Sequence, residues 1–133
     1  MDDRFLRELL TTSHTVAMVG LSASPERDSH RVAAYLKEHG YRVIPVNPAV
    51  GEVLGEKAYA SLRDIPESVD IVDVFRRPED APAVVEEALA LKPRAVWLQL
   101  GVVSEAAAAL AAAAGTPLVM DRCLKGEHVR LGI

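Results

Sequence analysis

Val16-Ala17-Met18-Val19 is an apolar run without a polar break, and short runs of similar character return at Tyr41–Val46, Asp70–Phe75, Ala95–Leu100 and Pro117–Met120. They are too short for helices and lack the strict alternation of a strand with one wet face. Helical patterns separate most of them. Such a chain is confined to a parallel sheet covered by helices on both faces, so the pattern predicts an α/β fold, a doubly wound parallel sheet of five strands. With right-handed crossovers, ligands bind outside the carboxyl ends of the strands, near the point where strand order reverses. The segments just after each strand therefore hold the candidate functional residues.

The intervening elements follow from local signals. Residues 2–12 read as an amphipathic helix with Phe5, Leu6, Leu9 and Leu10 on one face. A second helix is expected over Ser29–His39, capped by Ser29 and stopped by Gly40. Pro45 lies inside the second strand, which marks an edge or a bulge. Residues 49–68 have no clear period. Pro78-Glu79-Asp80 opens a helix running to Leu91, and Ser104 caps an alanine-rich helix that stops at Gly115. The tail from Asp121 to Ile133 is polar, with room for one more helical turn. Asp121, Arg122 and Glu127 are read there as an ion-pair cluster that pins it.

Length places all 133 residues, 1–133, in one domain with a full core. The net charge of -4 argues against a general nucleic-acid binder. No apolar segment reaches membrane-spanning length, and the charged first fifteen residues are unlike a secretory signal. A single cysteine, Cys123, fits a reducing compartment, so the expected location is cytoplasmic. Cys123 and His128 without further spaced ligands do not make a metal site, and none is expected. No nucleophile–base–acid spacing supports a catalytic site.

The richest segment is Val16–Arg31, VAMVGLSASPERDSHR. A strand, a small-residue turn and a helix start form an anion site, because the first N–H groups of a helix lack intrahelical partners. Gly20 permits a sharp turn and close ligand approach. Ser22, Ser24 and Ser29 offer hydroxyls, and Arg27, His30 and Arg31 offer charge. This is read as a pocket for the phosphates of a nucleotide-like ligand. A nicotinamide site would want three glycines here and an acid after the second strand. This chain has one glycine, and Asn47 stands in place of the acid. Arg27 or Arg31 could meet a 2′-phosphate, so an NADP-binding oxidoreductase or redox sensor remains the alternative.

The blocks VAMVGLSASPERDSHRVAAYLKEHGYRVIPVNP, DIVDVFRRPED, AVWLQLGV and MDRCLKGEH together resemble the small bacterial and archaeal CoA-binding proteins. These are stand-alone relatives of the CoA-binding domain of succinyl-CoA synthetase α subunits. The resemblance spans about Thr15 to His128. It implies a Rossmann-like, three-layer α/β/α fold with strand order 3-2-1-4-5 and CoA lying across the strand ends. By the same resemblance, Gly20, Leu21, Ser22, Ala23, Ser24, Arg27 and Ser29 would hold the CoA phosphates. Asn47 and Pro48 match the family's Asn-Pro after the second strand. Val74, Phe75, Arg76, Arg77 and Pro78 would border the nucleotide, and Leu100 and Gly101 would lie along the pantetheine arm. The synthetase domain that carries a phosphorylated histidine has no counterpart in this sequence. The expected function is therefore non-catalytic binding of coenzyme A or acyl-CoA, with any protein partner undefined. A third possibility is an enzyme acting on acyl-CoA through Cys123 or His128.

Overall fold

The computed structural model describes residues 2–133. Helix α1 (Asp3–Thr12) starts where the Asp2 carboxylate accepts the Phe5 N–H at 2.9 Å, and it buries Leu6, Leu9 and Leu10. β1 (Thr15–Val19) follows, buried at every position. Then come α2 (Asp28–Glu38), β2 (Arg42–Val46) and a small antiparallel hairpin of β3 (Glu52–Val53) and β4 (Glu56–Lys57). The second half alternates β5 (Ile71–Val74), α3 (Ala81–Leu89), β6 (Ala95–Leu98), α4 (Glu105–Ala114), β7 (Leu118–Val119) and α5 (Leu124–Arg130). Pro78–Asp80 forms a 3-10 turn ahead of α3 rather than the helix start itself.

β1, β2, β5, β6 and β7 make one five-stranded parallel sheet. Side chains of alternate parity divide between two cores, as the pleat requires. Met18, Leu36, Trp97, Leu6 and Leu124 pack on one face with α1, α2 and α5. Ile44, Val72, Val85, Leu98 and Ala107 pack on the other with α3 and α4. The architecture is the expected Rossmann-like α/β/α sandwich.

Strand order corrects one expectation. The sheet runs β2-β1-β5-β6-β7, which is 2-1-3-4-5 for its five strands, instead of 3-2-1-4-5. The outer edge of β2 is taken by a single parallel bridge from Tyr59: its N–H donates to the Pro45 carbonyl at 3.0 Å, and its carbonyl accepts from Asn47 N–H at 2.9 Å. Pro45 has no N–H to extend that ladder, so β2 is an edge strand with one bridge beyond it. Ile71, Val72 and Val74 are wholly buried, which suits a central strand, and β5 lies against the free side of β1. The chain thus passes from one side of β1 to the other, and the reversal falls between the carboxyl ends of β1 and β5.

Asp73 stands in the middle of β5, in register with Met18 and Trp97. It is fully buried, and neither carboxylate oxygen has a hydrogen-bond partner among the described residues. Burial pushes its pKa well above the ordinary aspartate value. The native state therefore holds this proton more tightly than the unfolded chain. The stability it contributes is complete below the unfolded pKa of about 3.9 and declines as pH rises toward the folded value. Urea midpoints of the wild type and Asp73→Asn, measured from pH 4 to pH 7, should diverge, with the wild type losing ground as pH rises. Parallel profiles would contradict an uncompensated carboxyl at this position.

Candidate functional site

Gly20 ends β1 at the point of strand reversal. Its N–H continues the ladder to the Val46 carbonyl at 2.8 Å, and Phe75 N–H does the same toward the Val19 carbonyl at 2.8 Å. The backbone then turns with φ +87°. A Cβ at Gly20 would lie 2.2 Å from the Phe75 carbonyl oxygen, so the segments after β1 and β5 can touch only because this residue has none.

The loop that follows is tied by its own hydroxyls. Ser22 N–H donates to Ser29 Oγ at 3.0 Å, and Ser24 N–H donates to Ser22 Oγ at 3.0 Å. Ser29 was expected to cap α2. Instead Arg27 holds the cap position without a side-chain bond, and Ser29 sits buried in the first turn with its hydroxyl turned back to the loop. The reason is Asp28, which adopts helical geometry and starts the helix one residue earlier. The first turn of α2 keeps N–H groups with no intrahelical partner and a positive dipole end.

A cleft of about 630 Å³ opens over this junction, within the range of small-molecule sites. Of the sequence-nominated residues, Gly20, Ser22, Arg27, Ser29, Phe75, Arg76, Arg77 and Leu100 line it. Leu21 and Val74 are wholly buried in the core, while Ala23, Pro48, Pro78 and Gly101 are exposed and do not line it. Ser24 acts on the loop backbone, accepting Arg27 N–H through its carbonyl at 3.1 Å. Asn47 is a brace: its Nδ2 donates to the Leu21 carbonyl at 3.1 Å and its Oδ1 accepts Ala49 N–H at 2.9 Å. Both ends of its amide are engaged, and it has no carboxylate for ribose hydroxyls.

Asp28, Asp80, Gln99 and Val102 also line the cleft and were not singled out from sequence. Arg77 lies across Asp80 with Nε to Oδ2 at 3.0 Å, a contact that keeps the guanidinium pKa above its ordinary value. Asp28 pairs with Arg31 at 3.1 Å. Three arginines against two aspartates leave the cleft cationic in an acidic protein. Leu100, 65% exposed, adds an apolar side chain to the lining from the segment after β6. Asp121 was placed in an ion-pair cluster, but its Oδ1 accepts Gly101 N–H at 2.7 Å and holds the turn after β6. Arg122 and Arg130 do pair with Glu127, each at 2.6 Å, and Arg130 continues to Asp3 at 2.8 Å.

Cys123 does not line the cleft; its Sγ accepts Gly126 N–H at 3.3 Å at the start of α5. His128 is buried at the amino-terminal end of the sheet, near Ser13 and Tyr41, with Nδ1 2.7 Å from the Tyr35 hydroxyl. Burial lowers its pKa, and His39 nearby lowers it further. These two residues therefore lie in different places. Among the described residues, no group of three or more His, Cys, Asp and Glu side chains could hold a metal, and no helix is long and apolar enough to cross a membrane.

Fold and cleft together define a Rossmann-like domain with a cationic crevice at its switch point. Residues 14–129 match the CoA binding domain family, and the chain belongs to that family. YneT of Bacillus subtilis is 43% identical over 123 residues, which are 92% of this chain and 91% of YneT. The solved structure of a hypothetical protein from Pyrococcus horikoshii OT3 has a TM-score of 0.96 at 43% identity, covering 98% of this chain and 92% of that one. The alpha subunit of the ADP-forming acetate–CoA ligase II of Pyrococcus furiosus is 42% identical over 57 residues, 42% of this chain but 12% of the subunit. The resemblance to the CoA-binding domains of acyl-CoA synthetases thus holds at the level of the family.

Gly20→Ala should destabilise the fold by about 2–4 kcal/mol, combining a positive φ with a backbone clash. A urea midpoint unchanged from the wild type would show that the two segments do not need this contact.

Proposed function

We propose that this protein is a binding module for coenzyme A or an acyl-CoA, without chemistry of its own. The observation that carries the reading is the division of the cleft. The segments after β1 and β5 supply the α2 start, Ser22, Arg27, Arg76 and Arg77, and the segment after β6 supplies Leu100 and Val102. Coenzyme A is divided in the same way, with a pyrophosphate and a ribose phosphate at one end and a long, uncharged arm at the other. Phosphate oxygens are acceptors only, and backbone N–H groups with arginine forks are the donors that suit them. Arg27, Arg76 and Arg77 would hold the phosphates, with the loop from Gly20 to Ser29 shaping the approach. Membership of the CoA binding domain family supports the same ligand.

Ligand-bound protein should melt visibly higher, since a ligand at a hundred times its Kd stabilises by roughly 2.7 kcal/mol. Coenzyme A and acetyl-CoA are expected to raise the Tm, and NAD and NADP to leave it unchanged. Arg27→Ala should weaken CoA binding about tenfold in calorimetry, the usual scale for one charge-assisted hydrogen bond. A Tm shift with NADP and none with CoA would overturn the proposal in favour of a redox role on the same fold.

A further inference from the structure

The joint between α5 and α2 turns on a histidine. His128 of α5 is 3% exposed, and the Tyr35 hydroxyl lies 2.7 Å from its Nδ1, where it can serve either neutral tautomer. Tyr35 meets the imidazole edge-on at 5.3 Å between centroids, His39 stands at the same distance, and Tyr41 lies at 5.8 Å. His39 stacks on Tyr35 at 4.0 Å and donates its Nδ1–H to the Tyr35 carbonyl at 2.7 Å. The Tyr41 hydroxyl donates to the Leu10 carbonyl, and α1 adds Leu10 and Thr11 to the wall of the same cavity. Within α5, the Lys125 ammonium lies 5.4 Å from the centre of the Tyr35 ring. None of these groups is a carboxylate. Glu127, the acid beside His128 in sequence, gives one oxygen to Arg122 and the other to Arg130.

A charge on His128 would therefore enter a buried site beside a second imidazole and an ammonium, a costly arrangement without a facing anion. Burial already lowers its pKa, and His39 lowers it further. The other fasteners of α5 do not titrate in the same range. Hydrogen bonds from Arg130 hold Glu127 and Asp3 below the usual carboxylate range, so their ion pairs persist well under neutral pH. Ahead of the helix, Trp97 Nε1 donates to the Arg122 carbonyl at 2.8 Å and Asp121 holds Gly101. These bonds tie the chain to the end of β6 and confine movement to the residues after Cys123. We propose that α5 is a pH-sensitive latch: neutral His128 holds it against α2, and protonation of that ring releases it, uncovering Leu124, Leu131 and the core surface they seal. The latch sits at the amino-terminal end of the sheet, away from the cleft, and is independent of the coenzyme A reading.

Amide hydrogen exchange on the full chain, from about pH 8 down to about pH 5, tests the latch. Leu131 N–H, bonded to the Glu127 carbonyl at 3.0 Å, reports α5, and Phe75 N–H, bonded to the Val19 carbonyl at 2.8 Å, reports the sheet. Because the docked ring holds its proton less tightly than a free one, docking is strongest above the unfolded value of about 6.5 and weakens as pH falls. The Leu131 protection factor should drop by up to about tenfold per pH unit below that value and level off where the His128 ring titrates by NMR. Leu131 should also be less protected than Phe75 throughout, since the helix opens while the sheet stays closed. His128→Asn, which keeps an amide near the Tyr35 hydroxyl but cannot take up a proton, should abolish the pH dependence at Leu131. A flat profile in the wild type overturns the proposal, as does an undiminished slope in the variant. Equal protection at Leu131 and Phe75 overturns it as well, because α5 would then leave only when the whole fold opens. If the asparagine variant does not fold, the wild type alone decides: the total loss of protection, in decades, must match the gap between about 6.5 and the NMR midpoint of His128, and a mismatch overturns the latch.

Discussion

Everything at the cleft depends on two backbone segments meeting at Gly20 and Phe75. β1 and β5 are hydrogen-bonded neighbours to their last residues, and the chain leaves both at the same level. The absent Cβ at Gly20 lets the Phe75 carbonyl close over the turn. That closure puts the start of α2 and the Arg76-Arg77 pair on either side of one crevice. A side chain at Gly20 would push them apart, and the cationic residues would belong to two surfaces. The sandwich behind them, with its two separate cores, acts as the rigid mount.

Much of this was legible in the sequence because its signals are local. Short apolar runs mark buried parallel strands, and Gly20, Ser22 and Ser29 mark a strand–turn–helix junction whatever lies around them. Strand order was not legible, because it turns on one long-range fact: the edge of β2 accepts a single bridge from Tyr59, and β5 goes to the other side of β1. Nothing in DIVDVF says which neighbour it will choose. Ser29 was assigned the wrong duty for a related reason. A serine at a helix start reads as a cap, and only the three-dimensional loop shows its hydroxyl accepting Ser22 N–H.

Gln99 had a signal that was available. It is the single amide in AVWLQL, a run otherwise apolar, and a lone polar residue in a buried strand asks for a partner. Asp73 in DIVDVF carries the same signature, yet it lies wholly inside the core and reaches no ligand surface. Sequence alone cannot separate the two, since the difference is how far each sits from the carboxyl end of its strand. Asp28 and Asp80 escaped notice because acids at helix starts are explained by the dipole. In the folded chain Asp80 grips Arg77, so any anion arriving there would have to compete with a carboxylate already in place.

The bridge at Tyr59 has a bearing on how this chain meets others. A parallel sheet ordinarily exposes a row of backbone donors and acceptors at each margin, and such rows invite strands from neighbouring molecules. Here one margin is already occupied by the chain's own backbone and interrupted by a proline, and the other, β7, is two residues long. Neither offers a template on which a second molecule could extend the sheet. At high concentration the folded protein should therefore resist fibrous association, and contacts between copies would fall to helix faces, whose side chains natural selection can adjust one at a time.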